Sequence, residues 1–257
     1  MVDIIHPAAQ KGFHVAAALY QQVRPNYPQE IVQWLQQDLG LDATSQLLDL
    51  GAGTGKFLDS LSQVSSHVFA VEPVAAMLEQ LKLKHPHVQA HQATTEQLPL
   101  PTMSMDAVLC AQSFHWFANQ DSLKAIHQVL KVQASLGLVW NQRDETVRWV
   151  KALADLLAGY EADTPRFHSH QWKQVFQDQH LFQFIDLKTF AHSQRGRVED
   201  VVSKRLLSTS FVAAMSTEQQ QQLKQQFEDI VFQHTGLSAD DQIEFPYLTY
   251  AYHYRKI

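Results

Sequence analysis

A single cysteine, Cys110, in 257 residues leaves no intrachain disulfide and no cysteine-based zinc site. Such sparing use suits a reducing compartment, so a cytoplasmic location is expected. Glycine and proline are scarce, nine of each, which excludes collagen-like and linker-like chains. No apolar run reaches the ~18 residues of a spanning helix, and MVDIIHPAAQKGFH lacks a basic-then-apolar leader pattern, so no membrane association is expected. Basic residues never cluster. Lys and Arg total 20 against 26 Asp and Glu, a net charge of −6, which argues against binding nucleic acid through its phosphates. Internal repeats are missing. So is H-E-x-x-H, and the groups His85, His87, His91 and His168, His170 read as solvated or packing histidines, with no metal expected.

What the chain does have is apolar content, 45% of its residues, too much for intrinsic disorder at this charge. A chain of this length buries roughly 70–75% of its unfolded surface. Helices are expected over 9–20 and 29–39, separated by Arg24-Pro25-Asn26-Tyr27-Pro28. Short apolar runs at 46–50, 68–71, 88–90, 107–111 and 136–140 read as strands, with helices at 55–64, 74–84 and 120–131 between them. Alternation of this kind builds right-handed βαβ units and a mostly parallel sheet. Beyond 141 the pattern changes. Helices are expected at 145–160, 197–208 and 216–234, and 164–180 is aromatic and irregular. Residues 183–192 and 243–254 alternate as an antiparallel pair on one sheet edge. The expected fold is α/β, Rossmann-like and doubly wound: a seven-stranded, mostly parallel sheet with an antiparallel C-terminal strand and a helical cover.

Asp49-Leu50-Gly51-Ala52-Gly53-Thr54-Gly55 follows the first strand and opens a helix. Glycines there allow a tight turn and close approach of backbone to ligand. In doubly wound sheets this is where cofactors lie. Glu72 ends the next strand, placed to accept hydrogen bonds from a ribose diol. The spacing G-x-G-x-G departs from the nicotinamide fingerprint G-x-G-x-x-G. A diphosphate favours a helix N-terminus without a nearby carboxylate, whereas Asp49 suits a ligand bearing a cationic amine. S-adenosylmethionine, with an amine, a sulfonium and no phosphate, meets that condition.

The segment resembles motif I of the class I S-adenosylmethionine-dependent methyltransferases. The wider resemblance is to their type 11 group with the Phe-His-Trp signature. It rests on Tyr20 with Arg24-Pro25-Asn26-Tyr27-Pro28, on Thr94-Thr95-Glu96-Gln97-Leu98-Pro99, on Ala111-Gln112-Ser113-Phe114-His115-Trp116-Phe117 and on Val139-Trp140-Asn141-Gln142-Arg143-Asp144-Glu145. Arg205, Ser208, Phe211 and Pro246-Tyr247 are similar too, so nearly the whole chain is covered. The resemblance implies that Gly51, Gly53 and Gly55 pack on the methionine part of the cofactor and that Glu72 binds its ribose. Thr94, where the family commonly has Asp, would reach the adenine amino group, and the Thr95 backbone would meet the ring. Ala111 and Gln112 would lie beside the methionine end, with Tyr20 and Arg24 folding over as a lid. One departure is Val132-Gln133-Ala134-Ser135, where relatives have a Pro-Gly-Gly turn after the helix expected to end at Lys131.

One domain over 1–257 is expected, with 1–40 as a helical lid, 41–141 as the cofactor-binding core and 142–257 as the acceptor-side cover and C-terminal strands. His115 is a candidate general base or a packing residue of the pocket floor. Arg143 is a candidate clamp for an acceptor carboxylate, or one half of a loop ion pair with Asp144 or Glu145. Arg24 suits the cofactor's carboxylate. Trp149, Phe167, Trp172 and Phe176 read as core of the cover rather than as an acceptor pocket. The expected function is methyl transfer from S-adenosylmethionine to a small-molecule acceptor, with no obligate protein partner evident. The alternatives are a non-catalytic sensor of the cofactor and an NAD-dependent oxidoreductase.

Overall fold

The computed structural model describes residues 23–161, 164–177 and 179–257. The helix expected over 9–20 and the lid residue Tyr20 lie outside them. Seven strands, β1 (Leu47–Leu50), β2 (Val68–Val71), β3 (Gln89–His91), β4 (Met105–Ala111), β5 (Leu130–Arg143), β6 (Phe182–Arg197) and β7 (Gln242–Lys256), form one sheet. Their order is β3-β2-β1-β4-β5-β7-β6, with β7 antiparallel to both its neighbours and the other pairings parallel.

Alternation along the strands feeds two hydrophobic layers. On one face Leu47, Ala107, Leu109 and Val139 pack under α1 (Glu30–Gln37), α2 (Leu58–Leu61) and α3 (Ala75–Lys84). On the other, Leu48, Leu50, Val108, Cys110 and Trp140 meet Leu123 and Ile126 of α4 (Gln120–Val129), with Phe167 and Trp172 beyond. Phe167, Trp172 and Phe176 join this core and Trp149 joins a third cluster, as expected of the cover. That cluster binds α5 (Arg148–Ala158) to α6 (Thr217–Thr235) and to Phe245 and Tyr247 of β7. A capping box between Ser216 and Gln219 starts α6, and Gly236 in left-handed geometry ends it. Leu223, Phe227 and Val231 bury one stripe of α6, while the glutamine run faces water.

Several boundaries differ from expectation. The helix expected over 55–64 is regular only at Leu58–Leu61, because the glycine loop continues as turns through Gly55. The helix expected to reach Lys131 stops at Val129. β5 begins at once, taking its irregularity at Gln133 (φ 60°), within the stretch where a turn departing from the family pattern was expected. The stretch 197–208 forms a π-helical turn, Glu199–Lys204, followed by Arg205–Leu207.

Candidate active site

The carboxyl ends of β1 to β5 open into one cavity of about 1170 Å³ of empty space, mouth included. This is the crevice at which doubly wound sheets bind ligands. Gly51, Gly53, Glu72, Thr94, Thr95, Ala111, Gln112 and Arg24 all border it. Gly55 does not. A Cβ there would meet His85 Cδ2 at 2.8 Å and Leu81 Cγ at 3.1 Å, so this glycine serves packing against α3. At Gly51 a Cβ would stand 2.6 Å from Ser113 Cβ, whose hydroxyl donates to the Leu50 carbonyl at 2.7 Å. Gly53 has φ 58° and open space beyond its Cα, with Met77 Sδ 3.9 Å from an added Cβ.

Glu72 is held from two sides. Its Oε2 accepts from the Gly53 N–H at 2.8 Å and its Oε1 from the Val74 N–H at 2.9 Å. Each oxygen keeps a lone pair for a further donor such as a diol hydroxyl. Burial pushes its pKa up to about 7 against the pull of those two N–H groups. Asp49 is fully buried, and neither carboxylate oxygen has a hydrogen-bond partner among the described residues. Burial, then the nearby Glu72, raises its pKa to about 8. An unpaired buried carboxyl is costly, and a cationic ligand would relieve it. A diol and a close backbone approach are requirements of S-adenosylmethionine that Glu72, Gly51 and Gly53 fit at the cavity wall, while Asp49 supplies an unpaired acidic group on β1 outside that wall.

The segment Arg24–Pro28 straps the mouth. Asn141 Nδ2 donates to the Asn26 carbonyl at 3.1 Å, and the Arg24 guanidinium donates to the Ser208 carbonyl at 2.8 Å. Lys56, not anticipated from the sequence, borders the same cavity and donates to Asn26 Oδ1 at 3.0 Å. Burial lowers its pKa to about 8.

A second cavity, about 520 Å³ of empty space, adjoins the first and shares Arg24, Gln112, Asn141 and Arg205 with it. His115 and Arg143 border this one. The geometry speaks against His115 as a base: its Nδ1 accepts the Trp140 indole N–H at 3.1 Å, and burial lowers its pKa to about 3. Arg143 forms no ion pair with Asp144 or Glu145, so the loop-pair reading is set aside. Burial lowers its pKa, as it does for Arg166, brought down to about 10. Arg205 is 8% exposed and its Nε has no partner among the described residues. Against these guanidiniums stands, among the described residues, one carboxylate, Glu161, 3.6 Å from Arg166 Nε and 2.9 Å from His168 Nε2. Arg166 and Arg205 were missed as site residues. Arg205 carries part of the family resemblance, but in the run Val201-Val202-Ser203-Lys204-Arg205-Leu206 nothing local marks it as facing a site. Among the described residues no group of three His, Cys, Asp or Glu side chains gathers to hold a metal.

The family model described as Methyltransferase domain matches residues 48–137. An uncharacterized methyltransferase-like protein of Schizosaccharomyces pombe is 36% identical over 245 residues, 94% of each chain. An uncharacterized methyltransferase of Mycobacterium tuberculosis is 32% identical over 200 residues, 73% of this chain and 80% of its own. Among solved structures, a protein of Anaeromyxobacter dehalogenans described as a type II methyltransferase superposes with a TM-score of 0.64 at 22% identity. The match covers 91% of this chain and 97% of that one, and at this identity it shows the fold.

Proposed function

The chain belongs to the class I S-adenosylmethionine-dependent methyltransferases, and on that premise we propose that it methylates a carboxylate oxygen of a small organic acid. The observation that carries this reading is the second cavity, where Arg143, Arg166 and Arg205 face, among the described residues, one carboxylate, that of Glu161. Guanidinium groups bind carboxylates in bidentate fashion, and an anion entering here would neutralise charge that burial has made costly.

In this reading Glu72 holds the ribose hydroxyls, Asp49 answers the amine, and Thr94 and Thr95 face the adenine. The backbone at Gly51 and Gly53 lies along the methionine portion, with Ala111 and Gln112 at its end. Arg24 and Lys56 supply positive charge for the cofactor's carboxylate. The bound cofactor contributes an electrophilic methyl group. The chain's own work is to align the acceptor and exclude water, and such positioning is worth up to ~7–11 kcal/mol. An acid is already ionised at neutral pH, so no side chain needs to take a proton. Gln112 has a strained backbone (φ 60°) and donates from Nε2 to the Asn141 carbonyl at 2.9 Å. It stands on the wall shared by both cavities, where donor and acceptor would meet.

The test is an S-adenosylhomocysteine-release assay over small acids, amines, thiols and phenols. Turnover confined to acids supports the reading. Turnover of amines or thiols with inert acids overturns it.

A further inference from the structure

Trp140 lies fully buried on β5, and its indole Nε1–H donates to His115 Nδ1 at 3.1 Å. An indole nitrogen only donates. Nδ1 is therefore the bare nitrogen of the imidazole, and in the neutral ring the proton sits on Nε2. Charging the ring would put a second donor against the indole. Burial, with Arg166 and His168 nearby, opposes the charge in the same sense. The other charged groups bordering this cavity are Arg24, Arg143 and Arg205, and the carboxylate of Glu161. Nε2 has no hydrogen-bond partner among the described residues, and His115 borders the second cavity half-buried.

Building on the carboxylate reading above, we propose that Trp140 is a positioning residue that locks His115 as its Nε2–H tautomer, and that this N–H donates to the acceptor's carboxylate. The pair thereby selects for an oxygen anion. An amine would set N–H against N–H, whereas a carboxylate oxygen accepts from His115 while its partner oxygen faces the guanidiniums. His115 then contributes a fixed dipole and never a charge, and the acid must arrive ionised.

The experiment is long-range ¹H–¹⁵N correlation spectroscopy of the full chain with labelled histidine, in the presence of S-adenosylhomocysteine. In the wild type His115 should show the neutral Nε2–H pattern, unchanged between about pH 5 and 8. Trp140→Phe keeps an aromatic ring against Phe167, Trp172 and Tyr252 but removes the donor. There His115 should become a mixture of the two neutral tautomers. In methylation assays His115→Gln, which places an amide N–H near the Nε2 position, should stay within about tenfold of wild type. His115→Phe should lose about tenfold to a hundredfold. A wild-type His115 in the Nδ1–H form, or one that titrates near its ordinary value, overturns the lock, as does an unchanged spectrum in Trp140→Phe. A locked tautomer in a protein that methylates no small acid overturns the acceptor reading instead, and with it the donor role.

Discussion

Asp49 and Glu72 are carboxyl groups that folding buries, and among the described residues neither is paired with a cation. With pKa values raised to about 8 and about 7, both favour their protonated forms in the folded protein. An unfolded chain gives up these protons near pH ~4, the folded chain only at higher pH. Their contribution to stability is thus complete below about pH 4 and lost as pH rises to about 8. The melting temperature of the free protein should fall across that window. Asp49→Asn should flatten the fall and raise the melting temperature at about pH 8 by several degrees. The same substitution should weaken S-adenosylmethionine binding by at least about tenfold, read by calorimetric titration. A variant as pH-sensitive as wild type would remove Asp49 from this account. At the acceptor end, Arg143→Met should raise the KM for an acid by about tenfold to a hundredfold and leave the cofactor Kd unchanged.

Among the elements, the loop after β1 separates two uses of glycine. Gly53→Ala places a methyl group in open space beside the cavity, with a left-handed backbone that costs ~1–2 kcal/mol. Its expected result is a folded protein with weakened cofactor binding. Gly55→Ala drives a methyl group against His85, Leu81 and Leu58, so its expected result is a lower melting temperature as the primary defect. Thermal melting beside cofactor titration distinguishes the two. The sequence spacing treats these glycines alike, and only the packing of α3 behind the loop tells them apart. The inner strands were legible because each is a short apolar run buried on both faces, as at Leu47–Leu50 and Val68–Val71. The β6–β7 pair was legible as well, through alternation on a half-exposed surface. The second cavity was not. Arg143 ends β5, Arg166 lies in an irregular stretch and Arg205 begins a helical turn, and no local spacing links the three. Likewise, the neutral-donor role proposed for His115 rests on Trp140, a residue that by itself reads as core.

At the scale of the molecule, the strand order brings the ends of β1 to β5 to one edge, and the residues after Arg143 build a second compartment against it. The strap at Arg24–Pro28 borders the first cavity through Arg24, Pro25 and Tyr27 and the second through Arg24. It is tied to the sheet through Asn141, to the cover through Ser208 and to β6 through Gln194, which donates to the Val23 carbonyl at 3.1 Å. Cofactor bound between strap and sheet should stabilise the whole chain. At a hundredfold excess over Kd the linkage is worth ~2.7 kcal/mol, visible as a rise in melting temperature with S-adenosylhomocysteine and absent with NAD. The most direct measurement takes the full chain with methyl-labelled S-adenosylmethionine and a panel of small carboxylic acids, amines and thiols, followed by mild alkali. This account predicts label on an acid, released by the alkali as methanol, the signature of a methyl ester. Unlabelled acids beside an amine or thiol whose methyl group survives the alkali would contradict it.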